Sequence, residues 1–239
     1  MGRGGLDVAS DVAWEFVLAD GVFEGGLEKC ADVGCAEPGE FFAPRSGWRR
    51  MAAAGPSVVL WFAGEVDGGV QGAVLEILKR LGAEEIVMEP GFSVRFLVGG
   101  RLAVGGARGG FAVEYQEADR QPGDDYSQVG TAPVGELAVW AAEAGRANEV
   151  AVASLALAIM RECGALVDFD GLLGPGGSVP GDESESRRRE VRRFVESFLG
   201  RVFEVGYAMC GEEMRYVHVA DAEFLSGWLE SEHFHLFGD

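Results

Sequence analysis

The three histidines of the chain, His218, His233 and His235, all lie close to its C-terminal end. His233 and His235 alternate along a predicted strand and therefore share one of its faces, while His218 lies in a predicted hairpin that could pair beside them. Together with Asp221 or Glu223 they could bind zinc, because three nitrogen or oxygen ligands leave a position open for water. The pattern indicates a candidate site for metal-assisted hydrolysis. The alternative is that these histidines pack against neighbours or lie on the surface.

Two aspartates form a second candidate, in the run ALVDFDGLLGP at 165–175. Asp168 and Asp170 are two residues apart and would share one face of a strand, while Val167 and Phe169 would point into the core. Two carboxylates could hold a divalent cation or act as an acid–base pair, but alone they make a poor site for a hard metal. The alternative is the polar side of a half-buried strand, where an Asp before Gly caps a turn. The pair is therefore a weak binding candidate.

Motifs for other chemistry are missing from the sequence. There is no G-x-S-x-G run, and a pair of Cys210 with His218 across a hairpin would lack an orienting third group. The glycines at 98–110 lack the spacing of phosphate-binding loops and indicate turns between strands. The arginine-rich run 187–193 could contact phosphates, but interleaved glutamates favour a solvated helix face. No catalytic residue and no cofactor is predicted.

Composition limits the possible partners. The chain has 239 residues, 48% of them hydrophobic, which is enough to bury a substantial core. Its 20 Lys+Arg against 39 Asp+Glu give a net charge of −19, which would repel nucleic-acid phosphates and anionic lipids. We therefore predict no nucleic-acid partner, no membrane partner and, if there is a protein partner, a basic one. The absence of a signal-peptide pattern and of a long apolar run predicts a cytoplasmic location.

Three regions differ in pattern along the chain. Residues 1–52 are glycine-rich without a sustained period and predict an N-terminal extension that is partly irregular. Residues 53–120 predict an α+β unit, with a strand, an amphipathic helix and short antiparallel strands separated by Gly or Pro. The polar segment 117–134 predicts a linker or long loop. Residues 135–239 predict a second α+β unit, and the two units could form one compact domain.

The C-terminal unit has the clearer element order. Residues 147–163 are apolar nearly all round and predict a helix buried on more than one side. A strand at 166–169, a helix rich in arginine, a hairpin at 201–219 and a helix after Asp221 follow, and 233–237 predicts a closing strand. This order approximates a ferredoxin-like βαββαβ arrangement. The predicted fold class is α+β, with antiparallel-leaning sheets and helices packed on one face.

Several stretches of the C-terminal unit resemble a known family. The runs GALVDFDGLLGP (164–175), GRVFEVGYAM (200–209) and YVHVADAEFLSGWLESEHFHLF (216–237) are similar to a bacterial group common in actinobacteria, domain-of-unknown-function family 6368. The resemblance covers Met51 to the C-terminus and leaves out the first 50 residues. The residues that carry it most sharply are Asp168, Gly171, His218, Asp221, Phe224, Leu225 and Trp228.

The sequence favours one function class over another. Small acidic proteins of this sort resemble the immunity proteins that accompany bacterial toxins. Together with the charge, the resemblance predicts a non-enzymatic protein-binding module, immunity- or antitoxin-like, that neutralises a basic toxin. The alternative is a metal-assisted hydrolase that uses His218, Asp221, His233 and His235.

Overall fold

The computed structural model describes residues 55–103, 105–118, 120–175, 184–208 and 214–236. These residues form one open antiparallel sheet of eight strands with four helices, which confirms the α+β class. The predicted extension at 1–52 lies outside the described residues. No helix in the described ranges is long and apolar enough to cross a membrane.

Strands and helices alternate irregularly along the chain. Their bounds are β1 Ser57–Phe62, α1 Gly68–Leu81, β2 Glu84–Glu89, β3 Ser93–Leu97, β4 Gly110–Glu117, β5 Gly135–Ala141, α2 Arg146–Cys163, β6 Leu166–Asp168, α3 Glu185–Val195, β7 Val202–Ala208, β8 Met214–Ala220 and α4 Ala222–Leu229. The sheet order is β2-β3-β4-β5-β1-β6-β8-β7, and every pairing is antiparallel. Strands from both predicted units therefore belong to one sheet.

The ferredoxin-like detail of the prediction is not confirmed. From residue 135 the observed order is βαβαββα, and β1 from the first half of the chain lies between β5 and β6. The predicted closing strand is absent from residues 233–236, which form an irregular segment. Phe234 and Leu236 are buried there, so the alternation of apolar residues is real. These two side chains pack the end of the chain onto the helices, and no strand of the described structure pairs with this segment.

One face of the sheet carries all four helices. Alternate strand residues such as Leu60 and Val167 are completely buried against them. Helix α2 packs against α1, α4 and the sheet, so it is buried on several sides as its apolar sequence predicts. In α4, Trp228 is fully buried, and its ring meets Phe198 at 5.4 Å between centroids. Burying side chains of this size contributes about 1.5–3 kcal/mol each.

The opposite face is covered in part by the segment 121–130. Trp61, Val205 and Tyr207 form a small core there, and Tyr126 from that segment packs edge-on against Trp61 at 5.8 Å. As predicted, the described residues of the segment 117–134 contain no helix or strand beyond the end of β4 at Glu117. The prediction misses that the loop is anchored on the sheet by an aromatic side chain.

Candidate functional site

The predicted histidine site begins with His218, which lies in β8 and is 2% exposed. Its Nδ1 accepts a hydrogen bond of 3.0 Å from the amide of Leu173, in the loop after β6. An accepting Nδ1 carries no proton, so a neutral ring carries its proton on Nε2. Burial, and secondarily the charge of Arg192, lower the pKa of His218 to about 3. The ring is therefore neutral near pH 7 and presents one N–H donor.

Asp221 has a structural task as the N-cap of α4. Its Oδ1 accepts from the amide of Phe224 at 3.0 Å, and its Oδ2 accepts from Arg201 Nε at 3.2 Å. Burial alone would raise the pKa of Asp221, but these bonds and the arginine charge hold it below the usual value. Gly200 (φ 91°) makes this contact possible, because a Cβ there would lie 2.2 Å from the Phe224 nitrogen.

The last two histidines pack against aromatic rings. The His233 ring lies edge-on to Phe194 at 5.3 Å between centroids, and the His235 ring lies edge-on to Trp228 at 5.3 Å. His235 also contacts the backbone oxygen of His233 through Nδ1 at 2.7 Å. Across the described residues, no three His, Cys, Asp or Glu side chains form a group that could hold a metal ion. The structure therefore does not bring the histidines of the predicted site together with Asp221.

Asp168 and Asp170 are separated by the end of their strand. Asp168 is the last residue of β6, and its Oδ1 accepts from the amide of Asp170 at 2.6 Å. Asp170 has a φ of 53° and lies in the turn, so the two carboxylates do not share a strand face. The other oxygen of Asp168 accepts from the Tyr207 hydroxyl at 3.1 Å. Burial, followed by the Asp168 charge, raises the pKa of Tyr207, so the phenol stays neutral and donates.

The loop that follows Asp168 does reach His218, through its backbone. The amide of Phe169 donates to the His218 oxygen at 3.0 Å, and the amide of His218 donates to the Gly171 oxygen at 2.9 Å. With the bond from Leu173, these contacts hold the histidine ring in one orientation. The run at 165–175 thus positions His218 and supplies no acid of its own to it.

An ion-pair cluster around the buried carboxylate of Glu204, beside His218, was not predicted. Glu204 of β7 is directly across from His218 in the strand pairing and is only 8% exposed. Arg188 and Arg192, one turn apart on α3, both donate to its carboxylate, and the Arg188 guanidinium lies 3.4 Å from the centroid of the Tyr216 ring. Two arginines of the run predicted to be a solvated face therefore contact the sheet. The only signal in the sequence was their spacing of four residues, which places them on one helix face.

A cleft of about 360 Å³ opens between the end of α3 and the start of β7. His218, Glu204, Glu196, Arg192, Arg201 and Gln128 supply its polar lining. The remaining wall is formed mainly by apolar side chains: Val195, Phe198, Val202 and Phe203. Its volume is at the lower end of the range of small-molecule sites, and its lining combines several polar groups with an apolar wall.

The far edge of the sheet has a different character. Strand β2 pairs only with β3, and in the described structure no backbone group of residues 84–89 has a hydrogen-bond partner on the outer side. Val87 and Met88 are 56% and 55% exposed. Glu84, Glu85 and Glu89 surround them, and a bulge interrupts the pairing between Glu84 and Val87.

Comparisons with known proteins agree with the resemblance seen in the sequence. Residues 54–238 match the family described as "Family of unknown function (DUF6368)". No curated protein and no solved structure matches the chain. The matched range covers more than half of the chain and contains every described residue, including the cleft and strand β2. The chain therefore belongs to the DUF6368 family.

Proposed function

We propose that this protein is a non-catalytic protein-binding module of the immunity type, which neutralises a basic bacterial toxin by receiving an extended segment of it along β2. The observation that carries the proposal is the open edge of β2. An edge strand presents a row of unpaired N–H and C=O groups, and an extended peptide can satisfy them by adding a strand to the sheet.

Exposed apolar side chains on β2 support a binding role. Among the described residues, the large hydrophobic side chains that stay exposed are Val87, Met88 and Leu199, and the first two are neighbours on this one strand. Single exposed apolar residues are common on protein surfaces. Two adjacent ones on an open edge would be removed from water by a docked strand, at about 25 cal/mol per Å² buried.

Charge selects the kind of partner. Glu84, Glu85 and Glu89 give the edge a negative potential, and the whole chain carries −19. A second copy of this acidic edge would be repelled, whereas a basic segment would be attracted and guided to it. The glutamates and the bulge also oppose edge-to-edge aggregation, but that task does not account for Val87 and Met88. Only two of the 20 basic residues of the chain are lysines, which fits the proposed actinobacterial setting.

The proposal is tested by co-expressing the full chain with the products of the genes that neighbour its own gene. We expect a complex whose association slows as salt rises, because the attraction is screened. The triple variant Glu84→Gln, Glu85→Gln, Glu89→Gln should slow association by about tenfold or more at low salt.

A matched variant controls for net charge. Glu65, Glu117 and Glu230 are exposed and lie away from β2 in sequence, and their change to Gln removes the same total charge. This variant should associate within about twofold of the unchanged chain, since local charges dominate steering at short Debye length. Equal losses in both triple variants, or no complex at all, would contradict docking on β2.

A further inference from the structure

The cleft beside His218 presents hydrogen-bond donors that no described residue of the protein uses. His218 lines the cleft, its Nδ1 is occupied by the Leu173 amide, and its Nε2 has no protein partner in the described structure. The side chain is 98% buried, but Nε2 is not one of the fully enclosed polar atoms without a partner, so it is accessible from the cleft that His218 lines. The arrangement suits a ligand that accepts a hydrogen bond.

Two further donors line the same cleft. Arg192 uses one nitrogen, Nη2, on Glu204 at 3.2 and 3.4 Å, which leaves other guanidinium N–H groups for a ligand. Gln128 accepts from the amide of Glu204 through Oε1 at 3.1 Å. Because that bond assigns the oxygen, the other end of the Gln128 amide is a donor.

Charged side chains of both signs surround the cleft. Arg188 and Arg192 share the carboxylate of Glu204, and Arg188 also pairs with Glu185 at 3.5 Å, so Arg192 is the arginine that lines the cleft with N–H groups left over. Burial, followed by the nearby charge of Arg192, lowers the pKa of His218, so this arginine lies close to the ring. The other acid of the lining, Glu196, is exposed to solvent, where water screens its charge.

We propose that this cleft binds a small ligand with an oxyanion head, a carboxylate or a phosphate group, on an apolar body. The head accepts from His218 Nε2, Arg192 and the Gln128 amide, and the body lies against the apolar walls that include Phe198 and Val202. This assignment does not depend on docking at β2, because the cleft is at the opposite end of the sheet order.

The test is an NMR titration of the full chain labelled with ¹⁵N-histidine. Sodium benzoate and phenyl phosphate serve as probes, and sodium chloride at equal ionic strength is the reference. We expect a saturable shift of the His218 Nε2–H resonance with a Kd of about 1 mM or tighter for at least one probe. Acetate and inorganic phosphate, which lack the apolar body, should bind more weakly. The probe that binds better identifies the head group as carboxylate or phosphate.

Matched variants identify the donors. Arg192→Gln should weaken binding about tenfold or more, because it removes a charged donor. Arg193→Gln removes the same charge from an exposed neighbouring position on α3 and should leave the Kd unchanged. His218→Asn keeps an acceptor for the Leu173 amide, and we expect it to lose the rise in melting temperature that the better probe gives the unchanged chain.

Two results would overturn the assignment. One is a His218 resonance that moves no more with either organic probe than with chloride. The other is saturation of Arg192→Gln and Arg193→Gln with the same Kd, which would place the probe elsewhere on the chain. Circular dichroism of each variant confirms that it is folded before the Kd values are compared.

Discussion

The two edge strands of the sheet, β2 and β7, differ in what pairs with their outer edges. At β7 the segment 121–130 pairs with the outer edge: the Ala208 amide donates to Asp124 Oδ1, the Asp125 amide donates to the Gly206 oxygen, and the Glu204 amide donates to Gln128 Oε1. At β2 no described residue does the same. Edge strands invite pairing with other chains, and covering or charging them prevents it. One edge is therefore covered from within, and the other is only charged.

This difference predicts that substitutions at the β7 edge affect stability, whereas substitutions at the β2 edge affect binding. Removing groups that pair at the β7 edge should cost folding free energy, because their partners would be left without a hydrogen bond. Equivalent changes at β2 should leave stability almost unchanged and alter only what the strand can bind.

The largest contrast is expected between two glutamates. Glu204→Gln should lower the free energy of unfolding by about 2–4 kcal/mol, because Arg188, 17% exposed at its side chain, loses its nearest carboxylate and keeps only the exposed Glu185 at 3.5 Å. Glu84→Gln at the exposed β2 edge should change it by less than about 0.5 kcal/mol. Urea denaturation of both variants measures the two values. Similar values would mean that the edges do not differ as described.

The pH dependence of stability provides a second contrast. The folded pKa of His218 is about 3 and its ordinary value is 6.5, so the unfolded chain binds more protons between these values. The free energy of unfolding should therefore be full above pH 6.5 and fall on acidification, by up to about 1.4 kcal/mol per pH unit from this group. His218→Asn cannot titrate and should show a flatter profile between pH 6.5 and 5.5, where most carboxylates are still ionised. Identical slopes for the two proteins would contradict a buried neutral His218.

One substitution in segment 121–130 should release this segment from the outer edge of β7. Asp124→Ala removes the acceptor for the Ala208 amide and should destabilise the protein by about 1–2 kcal/mol. Hydrogen exchange of the Ala208 amide should become faster, while the amides of β2 keep their rates. Unchanged protection at Ala208 would show that segment 121–130 does not hold this edge closed.

The smallest effect is expected on β2 itself. Val87→Thr keeps a β-branched side chain at an exposed position and should change stability by less than about 0.5 kcal/mol. Val205→Thr, which places a hydroxyl at a completely buried position of β7, should cost about 1–3 kcal/mol. Thermal unfolding of the two variants at equal protein concentration compares them directly. A large loss for Val87→Thr would indicate that β2 is already covered in the folded chain.

Local pattern explains which predictions succeeded. The alternation in β1 and the helical spacing in α1 depend on neighbours within one element, so the sequence alone predicts both. The family resemblance, predicted from Met51 to the C-terminus, is confirmed by the match over residues 54–238. The alternation of apolar residues gave a wrong prediction of a strand at 233–236, because burial of every second side chain does not require a strand partner.

The sequence by itself determined an acidic α+β protein with an apolar core, and it indicated His218 as a candidate site residue. Only the tertiary structure decided what surrounds that residue. Glu204, Arg192 and Gln128 converge on it from separate elements, and no local periodicity encodes contacts between residues so far apart in the chain. The same reason applies to the sheet edges: β2 and β7 read alike as short strands, and the order of the sheet made both of them edges.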